Sequence, residues 1–294
     1  MRKRFVGLLL ALFFLWSPAL AEGITPDTTL WEIIDLPAFA DCGPFLFDRE
    51  YRHDRLDLTL RQLQNRYAYC DGERAARVLS EMAERAQAGT MTYLSLGEET
   101  GLFFFRGEAG APFAVICPGG GFEYVSALTE GFPLALALNG AGYNAFVLHY
   151  RVGQGAEAAC EDLAQALGEI LMHAVEWGVE ATGYALWGTS AGATLAAAVG
   201  EQAAPAAVIL AYSNYADWSP DTPPTYGCIG SRDALIDPAQ MEQRFAALAA
   251  AGIPVEFHLY EGLGHGYGLG IGTAAEDWVD DAIAFWQAMA ETRE

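Results

Sequence analysis

"YALWGTSAGATLAAAVG", Tyr184 to Gly200, is the stretch on which the reading of this chain turns. Its opening run, Tyr184 to Trp187, has the composition of a short buried strand. The small residues from Ala191 to Gly200 suit a closely packed helix. Between them stands a lone Ser190, with Gly188 and Gly192 two residues away on either side. Gly-x-Ser-x-Gly between a strand and a helix predicts a strained turn that projects the hydroxyl, because a side chain at either glycine position would collide. The helix starting at Ala191 would also aim backbone N–H groups at negative charge developing beside the serine. A glycine-rich turn with a helix-capping serine is the plainer alternative. The surrounding segments have to decide.

Those segments alternate. From about residue 90, "MTYLSL", "GLFFF", "PFAVICP", "YNAFVLHY", "AAVILAY", "PTYGCIG" and "VEFHLY" read as strands, too apolar to have one wet face. "EGFPLALALNGAG", "DPAQMEQRFAALAAAG" and "AAEDWVDDAIAFWQAMAE" read as helices between or after them. In Ala156–Gly178 the residues Ala159, Leu163, Ala166, Ile170, Ala174 and Trp177 recur at steps of three and four, one buried helical face. This rhythm implies an α/β fold with a mostly parallel sheet covered by helices on both sides. The expected division is a leader at 1–21, an N-terminal extension at 22–90 and one domain at 91–294. Within the extension, "DGERAARVLSEMAERAQAG" reads as a helix capped by Asp71 and stopped at Gly89.

The leader has a basic head, "MRKR", an apolar centre, "FVGLLLALFFLW", and a small-residue exit, "SPALA". That is the layout of a cleaved secretory signal, so a secreted chain without lasting membrane association is expected. Without Arg2, Lys3 and Arg4, 13 basic residues face 38 acidic ones, a charge of −25. Such a surface repels nucleic acid and anionic lipid, and favours neutral or cationic partners. Of the five cysteines, Cys42 and Cys70 could pair in an oxidising compartment. Cys117, Cys160 and Cys228 fall on apolar runs, where buried thiols are common. No cysteine or histidine spacing suggests a zinc site.

In parallel sheets of this kind reactive residues gather beyond the carboxyl ends of the strands. Besides Ser190, "CPGGGF" follows the strand Phe113–Ile116 directly. Its glycines leave backbone N–H groups open, so Gly120 and Gly121, with the N–H of Ala191, are the expected donors to an oxyanion. A phosphate cradle fits poorly, because neither a Gly-Lys-Ser/Thr nor a Gly-x-Gly-x-x-Gly pattern is present. A base is needed late in the chain. His265, glycine-flanked in "GLGHGYGLG", fits better than His258, which lies within a strand. The acid should precede it: Asp233 in "CIGSRDALID" has the expected offset, with Asp237 and then Asp217 as alternatives.

Together "PFAVICPGGGF", "EGFPLALAL", "GYNAFVLHYRV", "WGTSAGA", "GSRD" and "GLGHGYGLG" resemble bacterial α/β-hydrolase carboxylesterases over roughly residues 100–290. The nearest branch is the acetyl-esterase and carbohydrate-esterase group. The resemblance implies Ser190 as nucleophile, Asp233 as acid, His265 as base, and Gly120, Gly121 and Ala191 as oxyanion donors. It implies no metal or cofactor, and a small-molecule or carbohydrate ester as partner. Pro118 stands where hormone-sensitive-lipase-like members carry His before the three glycines, which argues against that branch. A serine peptidase of the same fold, a lipase and a non-catalytic binding protein are the competing readings.

Overall fold

The computed structural model describes residues 23–48, 55–64 and 71–292. The leader 1–21, and Cys70 with its possible bridge to Cys42, lie outside the described residues. Eight strands form one sheet: β1 (Met91–Ser95), β2 (Gly101–Phe105), β3 (Pro112–Cys117), β4 (Asn144–His149), β5 (Glu180–Thr189), β6 (Ala207–Ala211), β7 (Thr225–Gly230) and β8 (Val255–Tyr260). Their order is β1-β2-β4-β3-β5-β6-β7-β8. β2 runs antiparallel to both neighbours, and every pair from β4 to β8 is parallel.

Burial explains the apolar strands. β2, β4, β6 and β7 are buried at every position, and β3 and β5 along their central and carboxyl-terminal parts. Sequence alternation therefore gives way to continuous apolar runs, as a sheet covered on both faces requires. The helices after the strands are α4 (Phe132–Gly140), α5 (Gly155–Trp177), α6 (Ala191–Ala203), α7 (Pro238–Ala250) and α8 (Trp278–Glu291); the extension contributes α1 (Leu30–Ile34), α2 (Leu60–Gln64) and α3 (Gly72–Gln87). The chain steps one way from β3 to β4, then back across β3 to β5. Right-handed crossovers accordingly put α4 and α5 on opposite faces.

That reversal matters for position. Where the strand order changes direction, the loops leaving neighbouring strands diverge and open a crevice. Here it falls between β3 and β5, the strands that carry the glycine loop and Ser190. Beneath it the core is aromatic: Phe113 stacks on Tyr184 at 4.9 Å, and Trp187 packs against Trp278 and Trp286. Each fully buried ring of this size stabilises by about 1.5–3 kcal/mol.

The extension follows its caps. Asp71 accepts the Glu73 N–H at 2.9 Å to start α3, and Gly89 takes a left-handed φ of 70° just past its end. Thr29 and Glu32 form a reciprocal capping box on α1. Leu30, Ile33, Phe39, Leu60, Leu79 and Met82 are buried and continuous with the core around the sheet. One expected helix begins later than its sequence suggests. "EGFPLALALNGAG" is α-helical only from Phe132, preceded by a π-helical turn at Ala127–Gly131. Pro133 in the first turn donates no N–H. Gly131 also sits so close to its neighbours that a Cβ would meet Val147 Cγ1 at 2.7 Å and Pro118 Cγ at 2.8 Å.

Among the described residues no helix is long and apolar enough to cross a membrane. Burial pushes the thiols of Cys42 and Cys228 up to about 12, and Cys117 further still. The folded chain thus holds these protons more tightly than the unfolded one. Their contribution to stability is complete below the ordinary thiol value of 9.0 and is lost as pH rises towards about 12. The urea midpoint should fall steadily above pH 9, and iodoacetamide at pH 8 should modify these thiols slowly before unfolding and quickly after it. Equal rates in buffer and in urea would contradict the burial.

Candidate active site

Four chain segments meet at the carboxyl ends of β3, β5, β7 and β8. The turn after β5 places Ser190 at φ 51° and ψ −121°, a region that non-glycine residues rarely occupy. Such a residue costs about 1–3 kcal/mol and persists only where its surroundings fix it. Here the Ser190 N–H donates to the Ala211 carbonyl at 3.0 Å, and its own carbonyl accepts from Ala193 at 3.0 Å. The flanking glycines are required by space. A Cβ on Gly188 would lie 2.3 Å from the Gly192 carbonyl, and one on Gly192 1.9 Å from the Cys117 carbonyl.

His265 lies on the loop after β8 and Asp233 on the loop after β7, and the two loops are laced together. Arg232 N–H donates to the Leu263 carbonyl at 2.9 Å and Ser231 N–H to the Tyr260 carbonyl at 2.8 Å. The His265 Nδ1 lies 2.7 Å from Asp233 Oδ2, and its Nε2 lies 2.9 Å from Ser190 Oγ. With Nδ1–H donating to the carboxylate, Nε2 is left to accept from the serine hydroxyl. The Asp233 side chain is wholly buried, and its Oδ1 accepts from Leu235 and Ile236 N–H, both at 2.9 Å.

The alternatives drawn from sequence sit elsewhere. Asp237 caps α7 by accepting the Ala239 N–H, and Asp217 is exposed, its carbonyl accepting from Arg244. His258 pairs with Glu256 at 2.7 Å within β8. In the loop Tyr212–Tyr226 the two end tyrosines are core residues, while Trp218 is 41% exposed.

The glycine loop after β3 lies against the serine: a Cβ on Gly119 would come 2.9 Å from the Ser190 Cβ. The Gly119 N–H is committed to Glu130 Oε2 and Thr189 Oγ1, at 2.8 and 2.9 Å. The N–H groups of Gly120 and Gly121 have no hydrogen-bond partner among the described residues. The Ala191 N–H is the first of α6 and has no carbonyl four residues back within the helix. Gly120 and Gly121 take φ values of 124° and 64°. A Cβ on Gly120 would also fall 2.0 Å from the Tyr124 carbonyl.

Sequence reasoning gave three residues no place around this site. Glu130, in the π-helical turn, is 6% exposed and accepts from Gly119 N–H, Thr189 Oγ1 and the Tyr212 hydroxyl. Tyr212, at φ 43°, packs its ring edge-on to His265 at 4.8 Å. Tyr150 donates its hydroxyl to the carbonyls of Pro118 and Gly119 at 2.8 and 3.2 Å. Burial holds both tyrosines far above the ordinary phenol range, so they stay neutral donors. One signal was available: a lone carboxylate inside the apolar run Ala127–Leu138 needs partners. A small cleft beside the histidine loop has Gly266 and Gly268 on one wall and Asp71 and Arg74, at the start of α3, on another, so the extension reaches this rim. Among the described residues no group of His, Cys, Asp and Glu gathers as a metal site would.

No protein-family model matches the chain, and no curated protein matches it in sequence. Solved structures do match. The chain is similar to an α/β-hydrolase enzyme from a Medee basin deep-sea metagenome library, with a TM-score of 0.63 and 24% identity over 68% of this chain and 98% of that one. A sugar hydrolase from Lactococcus lactis gives a TM-score of 0.63 and 24% identity, over 69% and 100%. An acetyl ester-xyloside bifunctional hydrolase from Caldicellulosiruptor lactoaceticus gives 0.61 and 21%, over 68% and 96%. The chain has the α/β-hydrolase fold.

The steric argument for the turn yields a test. Gly192→Ala drives a methyl group into the Cys117 carbonyl and should cost about 3 kcal/mol or more in urea unfolding. Gly168→Ala, exposed in α5 with open space around it, should be neutral or stabilise by up to about 1 kcal/mol. Equal stability of the two variants would contradict the packing at the turn.

Proposed function

We propose that this chain is a serine carboxylesterase that removes short, acetyl-type acyl groups from esters, those of polysaccharides included. The observation that carries the reading is the unbroken line Asp233–His265–Ser190, with contacts of 2.7 and 2.9 Å, at the crevice of the sheet.

The chemistry follows from these positions. His265 Nε2 takes the Ser190 proton as the oxygen attacks the ester carbonyl, and Asp233 holds the ring in the required tautomer and stabilises the imidazolium. The carbonyl oxygen gains charge beside the N–H groups of Gly120, Gly121 and Ala191, which are fixed in place before the reaction begins. His265 returns its proton to the leaving alcohol, leaving an acyl group on Ser190. A water molecule, deprotonated by His265, then attacks this acyl group and releases the acid.

Support for a short acyl group on a carbohydrate is of a different kind. Two structural neighbours are described as a sugar hydrolase and an acetyl ester-xyloside bifunctional hydrolase. Trp218, exposed on the loop after β6, has a face on which a sugar ring can stack. The net charge of −25 after removal of the leader favours neutral glycans over acidic ones. Secretion through the leader 1–21, with 22–90 as extension and 91–294 as catalytic domain, completes the reading.

The chain should hydrolyse p-nitrophenyl acetate faster than long-chain esters and far faster than aminoacyl anilides. It should release acetate from acetylated xylan, and Ser190→Ala should lower both activities by about 10⁴-fold or more. Faster turnover of the anilide would replace the esterase by a peptidase. Undiminished acetate release by Ser190→Ala would remove the serine mechanism.

A further inference from the structure

Glu130 is a carboxylate buried at the centre of the site with no cation beside it among its hydrogen-bond partners. Its two oxygens join three segments: Oε2 holds the Gly119 N–H of the glycine loop and the Thr189 hydroxyl that precedes the nucleophile, and Oε1 holds the Tyr212 hydroxyl. In every one of these contacts Glu130 is the acceptor.

Tyr150 grips the same loop from its carbonyl side. Its hydroxyl donates to the carbonyls of both Pro118 and Gly119. Among the described residues there are no cis peptide bonds, and in a trans peptide the carbonyl and the following N–H point in opposite directions. Fixing the Gly119 carbonyl towards Tyr150 therefore turns the Gly120 N–H away from it. Gly120 itself has no side chain to hold this plane and sits at a φ open only to glycine at low cost. Left alone, the peptide would rotate.

We propose that Glu130 and Tyr150 are positioning residues that clamp the Gly119 peptide from its two ends, so that the Gly120 N–H stays aimed at the oxygen of the tetrahedral intermediate on Ser190. This rests on the esterase reading and deepens it. Neither side chain touches the substrate; both act through backbone. The Tyr212 bond gives Glu130 a second reach, because that ring lies against His265. The reach of the side chain matters here, and its charge does not. A glutamine can accept from the Gly119 N–H with its carbonyl while its amide donates to Tyr212, whose hydroxyl turns to accept.

The test is steady-state hydrolysis of p-nitrophenyl acetate by Glu130→Gln, Glu130→Asp and Tyr150→Phe, with kcat expressed per serine titrated by a p-nitrophenyl phosphonate. Glu130→Gln should stay within about fivefold of wild type. Glu130→Asp, one methylene short, and Tyr150→Phe should lose about tenfold to a hundredfold in kcat at nearly constant KM, the loss of a mis-aimed oxyanion donor. Residues that merely support the fold would lower the titratable fraction and leave kcat per site unchanged, and that result would overturn the proposal. So would a loss in Glu130→Gln as large as in Glu130→Asp, which would assign the effect to charge. If Glu130→Asp fails to fold, Glu130→Gln and Tyr150→Phe decide between them. A wild type inert towards every ester would fail the esterase reading and this proposal with it, whereas an active wild type with unaltered variants fails this proposal alone.

Discussion

The close contact between two backbones, the turn at Ser190 and the end of β3, is the constraint on which the rest of the site depends. The Gly192 backbone abuts the Cys117 carbonyl, and Gly119 abuts the serine. No side chain fits between them. The strain of a non-glycine residue at φ 51° is held by this contact and by the hydrogen bond to Ala211, both drawn from rigid parallel strands. Because the turn and the glycine loop leave adjacent strands, a small shift in either would move the Ser190 hydroxyl and the N–H groups of Gly120 and Gly121 together. Fixing both on the sheet sets their relative geometry before a substrate arrives.

Aspartate illustrates how one residue type is divided among tasks. Asp71, Asp233 and Asp237 each accept a backbone N–H two residues ahead, the local bond that makes aspartate a turn and cap residue. Only Asp233 has its second oxygen turned inward to a histidine. Its local bonds to Leu235 and Ile236 anchor the carboxylate, so the ring it orients has a stationary partner. The same carboxylate is thus both a loop fastener and the group that sets the tautomer of His265.

Much of this was legible in the residues. Strands buried on both faces announce themselves as apolar runs, and the glycines around Ser190 and the loop after β3 mark places where only backbone fits. The order of Ser190, Asp233 and His265 along the chain, each just past its own strand, carried the site. What sequence could not supply was contact between distant segments. Glu130 is one carboxylate among 38 acidic residues, and its partners lie 11, 59 and 82 positions away. Tyr150 and Tyr212 each read as the last residue of a strand. The π-helical turn that carries Glu130 ends at Gly131, packed against Val147 and Pro118 from other segments, contacts that no local propensity encodes. Trp218 was distinguishable from Tyr212 and Tyr226 only once the loop had folded.

The central claim is that the Ser190 oxygen is activated by His265, and it can be measured directly. A fluorophosphonate reacts with a serine only where a neighbouring base and donors to the developing oxyanion have prepared it. Intact-mass analysis after exposure to such a probe should show one adduct per chain, peptide mapping should find it on Ser190, and His265→Ala should abolish it. A folded chain that stays unmodified, or one whose adduct sits on another residue, would contradict the account.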